Sequence, residues 1–148
     1  MTIFIKPAPE RFYVAVFSAQ GSSVKLMRVA IVYDETACID LLSQYSDTDI
    51  DNILFDGTIY TQTGASIREK TGLPIRISKE KGKASDRIAA QKEWLYQIKY
   101  NKEMKDDADY SKFIELLSDY NDTNNPNPDP TAADLMAHAA RHFRRMAE

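Results

Sequence analysis

The sequence predicts an α/β fold in which a mixed five-stranded sheet is flanked by helices. Three observations carry this. Residues 2–33 hold three runs rich in Val, Ile, Phe and Tyr joined by short turns, the pattern of an antiparallel meander. Residues 36–78 alternate helical and strand periods, which calls for right-handed parallel crossovers. Residues 85–147 then read as helix, enough to cover a sheet face. The resulting order is β-β-β-α-β-α-β-α-α-α, with the fourth and fifth strands parallel to the first.

The three opening strands are residues 2–6, 11–19 and 24–33, separated by Pro7-Ala8-Pro9-Glu10 and Gln20-Gly21-Ser22-Ser23. Residues 36–45 place Cys38, Ile39, Leu41, Leu42 and Tyr45 on a helical period, with Thr36 as cap and Asp47-Thr48-Asp49 as the stop. Residues 52–56 form a short buried strand closed by Gly57. A helix over residues 64–70 stops at Gly72, and residues 74–78 make the fifth strand. The linker Lys79-Glu80-Lys81-Gly82-Lys83 leads into one long helix over residues 85–101, with Ile88, Leu95 and Ile98 on one face and Trp94 beside them. Residues 102–109 are charged and read as loose chain; residues 110–120 carry Phe113, Ile114, Leu116 and Leu117 as a further helix. After a polar loop at 121–129, the last helix runs over residues 130–147. Asp129 is its expected N-cap, Pro130 its first residue, and Ala132, Leu135, Met136, Ala139 and Phe143 its buried stripe.

A chain of 148 residues suits a single domain, residues 1–148, with the polar loop and terminal helix packed on it. The 19 basic and 22 acidic residues leave a net charge of -3, which argues against affinity for nucleic acid spread over the whole surface. A local basic patch is still allowed. The single cysteine, Cys38, excludes an intramolecular disulfide and reads as a small buried hydrophobe in a reducing compartment. No apolar stretch approaches the roughly 20 residues of a membrane span, and no secretory-signal pattern is visible, so a cytoplasmic protein is expected. There is no G-x-x-x-x-G-K-[ST] loop for an ATPase, and His138 and His142 have no Cys partners at zinc spacing.

Four segments carry a resemblance. They are Ile5-Lys6-Pro7-Ala8 and Ile53-Leu54-Phe55-Asp56-Gly57; then Thr71-Gly72-Leu73-Pro74-Ile75 with Lys81-Gly82-Lys83 and Asp86-Arg87-Ile88; and last Asp134-Leu135-Met136-Ala137-His138-Ala139-Ala140. In this order and spacing the chain resembles the ribonuclease H-like nuclease domain of tailed-phage large terminases, the DNA-packaging motors. The resemblance implies metal-assisted phosphodiester cleavage, with two divalent ions, Mg²⁺ or Mn²⁺, held by acids on the first strand, at the end of the fourth, and at the start of the last helix. The first acid position falls on Lys6, where Val-Asp-Pro-Ala or a close variant is usual. The second falls on Asp56. The third falls near Thr131 and Asp134, where the family's Asp-Asp pair is replaced by Pro130 and Thr131, Asp134 survives, and Asp129 lies out of register.

Lys6 decides the expected chemistry. A unit charge at 4 Å from another is worth about 4 kcal/mol at an effective dielectric near 20, and a divalent ion doubles that, so an ammonium opposes metal binding. The alternative is a Lys6 that points to solvent. Asp56 before Gly57 reads as a retained acid, as a turn former, or as the partner of Lys6 in an ion pair that replaces the lost metal. Asp134 reads either as a ligand or as a solvated acid favouring the helix dipole. Lys79, Lys81, Lys83 and Arg87, with Arg76, form the first candidate DNA-phosphate contact, and Arg141, Arg144 and Arg145 a second basic group that could also meet phosphates; a solvated surface is the plain alternative for both.

The expected function is therefore a terminase nuclease-like domain in phage DNA packaging, catalytically degenerate, without a cofactor, acting through double-stranded DNA or through terminase ATPase or portal components in a phage-infected or prophage-bearing host. One alternative is an active Mg²⁺- or Mn²⁺-dependent endonuclease using Asp56, Asp134 and a third acid such as Asp129. The other is a phage structural or interaction protein with no enzymatic role.

Overall fold

The computed structural model describes residues 1–45 and 50–147. Three strands open the chain: β1 (Thr2–Ala8), β2 (Arg11–Gln20) and β3 (Ser23–Val32). They pair as an antiparallel meander. Helix α1 (Glu35–Ser43) leads to β4 (Asn52–Asp56), and α2 (Thr61–Thr71) leads to β5 (Ile75–Ser78). β4 lies parallel to β1, and β5 parallel to β4. The chain finishes with α3 (Ala84–Ala90), α4 (Lys92–Leu95), β6 (Ile98–Tyr100), α5 (Ala108–Asn121) and α6 (Thr131–Ala147). The sheet order is β5-β4-β1-β2-β3-β6. The mixed α/β sheet read from the sequence is thus present, with one strand more than expected.

That sixth strand corrects the long helix expected over residues 85–101. The helical path breaks at Gln91, whose backbone sits at φ -106°, ψ 10°, and again after α4. Ile98 then enters the core beside the open edge of β3, in parallel pairing from Val24 to Leu26. A bulge in β3 next to this pairing shifts the register between Val16 and Phe17. The freed groups are satisfied locally. The Tyr110 hydroxyl donates to the Leu26 carbonyl at 2.7 Å and accepts from the Asn101 amide at 2.8 Å, and Asn101 Nδ2 donates to the Met27 carbonyl at 3.0 Å. Part of the segment expected to be loose at 102–109 forms a 3₁₀ turn, Lys102–Met104.

Helix ends also differ by small steps. Asp34, not Thr36, caps α1, accepting from the Ala37 amide at 2.7 Å. The expected stop at Asp47-Thr48-Asp49 lies outside the described residues. At α6 the Pro130 carbonyl accepts the first helical hydrogen bond, from Asp134 N at 2.7 Å, so Pro130 occupies the cap position. Asp129 sits one place earlier and accepts from the Thr131 amide at 3.0 Å.

Strand alternation divides the core into two layers. Ile3, Ile5, Ile53 and Phe55 face α1 and α2 with Cys38, Leu42 and Ile67. Phe4, Leu54, Ala15 and Phe17 face α5 and α6 with Phe113, Leu135, Ala139 and Phe143. Two glycines allow the first layer to close. A Cβ on Gly64 would lie 2.6 Å from the Phe55 ring, and one on Gly57 would lie 2.5 Å from Ile77 Cγ2. Among the described residues, no helix is long and apolar enough to cross a membrane.

Candidate functional site

The register of two parallel strands builds the centre of the site. Ile5 lies beside Phe55, so the next residues, Lys6 and Asp56, are neighbours at the C-terminal ends of β1 and β4. Side chains alternate, and Lys6 and Asp56 therefore share the face of Phe4 and Leu54, the one covered by α6. In that helix Asp134 and His138 are four residues apart on the buried side. The three positions singled out from the sequence meet here. Lys6 Nζ is 2.8 Å from Asp56 Oδ2 and 2.9 Å from Asp134 Oδ2. Lys6 points inward, not to solvent, and Asp134 is only 3% exposed, so it is not a solvated acid.

Every oxygen of the two carboxylates has at least one donor. Asp56 Oδ1 accepts from the Thr58 amide at 3.1 Å and from its hydroxyl at 2.5 Å. Asp134 receives a two-pronged contact from Arg87, Nε to Oδ1 at 3.0 Å and Nη2 to Oδ2 at 2.7 Å. Arg87 Nη1 holds the Gly82 carbonyl at 2.6 Å. Arg87 is thus turned inward, whereas Lys79, Lys81 and Lys83, grouped with it in the sequence, are exposed.

The network extends to Thr58 and Glu80, which the sequence did not single out, and through Glu80 to Arg141 and His138. Glu80 N donates to the Thr58 hydroxyl at 2.9 Å. The Glu80 side chain, 2% exposed, meets Arg141 Nη2 at 2.6 Å and His138 Nε2 at 3.1 Å. Three carboxylates (Asp56, Asp134, Glu80) therefore face three cations (Lys6, Arg87, Arg141), and the cluster is electrically balanced without an added ion. Glu80 sits between two lysines in sequence and reads as part of a charged linker; its burial depends on α6, about 60 residues away.

The titration of these groups follows from the contacts. Burial alone would depress the Lys6 ammonium, but hydrogen bonds and charge from Asp56, then Asp134, outweigh it and raise its pKa. Burial alone would raise both acids. Lys6 and Thr58 instead hold Asp56 below the ordinary carboxyl range, and Arg87 and Lys6 do the same for Asp134. Burial lowers His138 despite the charge of Glu80, whose carboxylate oxygen lies 3.1 Å from Nε2.

Other candidates lie elsewhere. Asp129 lies one place before the cap of α6, accepts from the Thr131 amide and is exposed. Thr131 bonds Asp129 through its hydroxyl. Cys38 is fully buried, and burial followed by Glu35 pushes its thiol up to about 12. Among the described residues, no group of three or more His, Cys, Asp or Glu side chains is placed to hold a metal ion.

Comparison with known proteins gives a fold. No family model matches the chain, and no curated protein matches it by sequence. Among solved structures, the human cytomegalovirus terminase nuclease domain soaked with Mn superposes with a TM-score of 0.58 at 15% identity, covering 93% of this chain and 81% of that one. A second structure of the human cytomegalovirus terminase nuclease domain gives 0.54 at 14% identity, covering 93% and 82%. The chain has the ribonuclease H-like fold of a terminase nuclease domain.

Proposed function

We propose that this chain is a terminase-nuclease-type domain that does not cleave DNA and acts by binding DNA or a partner in phage DNA packaging. The observation that carries the reading is the Lys6 ammonium, held at 2.8 and 2.9 Å between the Asp56 and Asp134 carboxylates. A divalent ion of the Mg²⁺ or Mn²⁺ type needs several oxygen ligands with open lone pairs. The residues do not fit one. Lys6 lies between the two acids, Arg87 takes both oxygens of Asp134, and Thr58 takes the second oxygen of Asp56. Lys6 and Arg87 supply the positive charge that ions would supply in a two-metal centre, at hydrogen-bond distance and without open coordination positions.

The rest of the reading, phage origin and double-stranded DNA or terminase ATPase and portal components as partners, rests on the sequence resemblance and on the fold. The test is a supercoiled-plasmid nicking assay in Mg²⁺ and in Mn²⁺, run beside Asp56→Ala and Asp134→Ala. The expected result is no conversion above buffer by any of the three proteins. Cutting by the wild type that disappears in both variants overturns the non-catalytic reading.

A further inference from the structure

Beside α6, on the far side of the Glu80–Arg141 pair from Arg87, an open groove of about 450 Å³ runs between β5 and the C-terminal half of the helix. Its polar lining is Arg76 and Ser78 from β5, and His138, Arg141, His142 and Arg145 from α6. No acidic side chain lines it. Arg76 and Arg145 have no carboxylate partner among the described residues. Both are exposed, whereas Arg141 meets Glu80 through Nη2. Arg141 and Arg145 are four residues apart and so stand about 6 Å apart along one helix face.

One buried atom in this wall lacks a partner. His142 Nε2 has no hydrogen-bond partner, while its ring stacks edge-on against Phe4 and Phe143. Burial, then the charge of Arg76, then His138 keep the imidazole neutral. The charged groups of the site are all cationic, and the partnerless Nε2 is closed to solvent in this conformation. Such a site lacks an anion with several acceptor oxygens, and arginine forks match phosphate oxygens in shape and charge.

We propose that this groove is a phosphate-binding track for a nucleic-acid backbone, with Arg76, Arg141 and Arg145 on phosphate oxygens. β5 is the last strand of the sheet, so the groove is open along its length and admits a continuous chain as well as a single anion. A whole-molecule charge of -3 repels a polyanion from most of the surface, which confines binding to this strip. The inference rests on the DNA-binding half of the function proposed above and is independent of the loss of cleavage.

The test is fluorescence anisotropy of the full chain with a labelled 20-base-pair duplex across a salt series. Arg76→Ala/Arg145→Ala is compared with the equal charge change Lys99→Ala/Lys112→Ala on other elements. Each phosphate contact contributes about 0.9 to the slope of log affinity against log salt. The groove variant is expected to lose at least tenfold in affinity and roughly two contacts' worth of slope, about 1.8, with the control changed less than threefold. The His142 ring signals should shift when duplex is added to wild type. If wild type binds duplex and the groove variant keeps its affinity and slope, the groove assignment fails and the binding function stands. If wild type binds no duplex even at low salt, the groove assignment and the DNA-binding half of the proposed function both fail. If inorganic phosphate or pyrophosphate moves the His142 signals and duplex does not, the nucleic-acid assignment is wrong and the groove is a small-anion site.

Discussion

Lys6→Met removes the ammonium and leaves Asp56 and Asp134 facing each other across no more than two hydrogen-bond lengths, at side-chain exposures of 4% and 3%. Removing one member of a buried ion cluster costs about 3–5 kcal/mol, because the remaining charges stay desolvated. Thr58 still holds Asp56 and Arg87 still holds Asp134, so only the contacts to the two Oδ2 atoms are lost. The low end, about 3 kcal/mol, is therefore expected. In a chain of this size that lowers the melting temperature by roughly 6–12 °C. Asp56→Asn places an amide donor against the ammonium and should be destabilising by about 2–3 kcal/mol. In the double variant an amide faces a thioether, no charge is orphaned there, and the total should fall at least about 2 kcal/mol short of the sum of the singles. Urea unfolding at pH 7 of wild type, both singles and the double closes the cycle. Additivity within about 0.5 kcal/mol would refute the claim that Lys6 and Asp56 act as a coupled buried pair.

Three further outcomes follow from the same geometry. Stability should be level between about pH 7 and pH 8 and fall on both sides, on the alkaline side first because burial holds the Cys38 thiol at about 12 in the folded chain while the unfolded thiol ionises near about 8.5. On the acid side the neutral, depressed His138 and His142 subtract first, below about 6.5, and the depressed Asp56 and Asp134 lose their contribution as pH drops through their folded values; on the alkaline side Lys6, raised, loses its contribution as pH climbs through its own. A stability maximum near pH 5 in a urea series contradicts this assignment. Gly64→Ala drives a methyl to 2.6 Å from the Phe55 ring and should cost about 1–3 kcal/mol despite the better helix former, whereas an unchanged denaturation midpoint would show that α2 shifts freely. Tyr110→Phe unpairs the Leu26 carbonyl and the Asn101 amide and should cost about 2 kcal/mol, with amide exchange accelerated at Asn101; unchanged exchange there would mean that the hydroxyl does not hold β6 in place.

The opening strands and the crossovers were legible because the strands are runs of Val, Ile, Phe and Tyr, whose side chains alternate between two covered faces, and their turns carry Pro, Gly and Ser. The same alternation puts Lys6 and Asp56 on one face, since both end neighbouring parallel strands. Helix 85–101 was misread for a local reason: the segment contains neither Gly nor Pro and is rich in Ala, Gln, Lys and Glu, good helix formers. What breaks it is tertiary, the unpaired edge of β3 and a place for Ile98 in the core. The wider charge network was hidden for a similar reason. Glu80 and Arg87 lie in a stretch that looks like a solvated basic linker, and only the packing of α6 turns both inward. Arg141 and His138, which meet Glu80, sit on the same helix as Asp134, and their pairing needs the path of the loop after β5.

The account stands on Lys6 and Arg87 taking the place of ions, and a Mn²⁺ titration read by the paramagnetic resonance signal of the free ion tests this directly. Wild type should leave the free-ion signal unchanged to millimolar concentration, whereas Lys6→Asp/Arg87→Gln, shown folded by circular dichroism, should bind Mn²⁺ at least tenfold more tightly. Saturable Mn²⁺ binding by the wild type that Asp56→Asn abolishes would contradict the account.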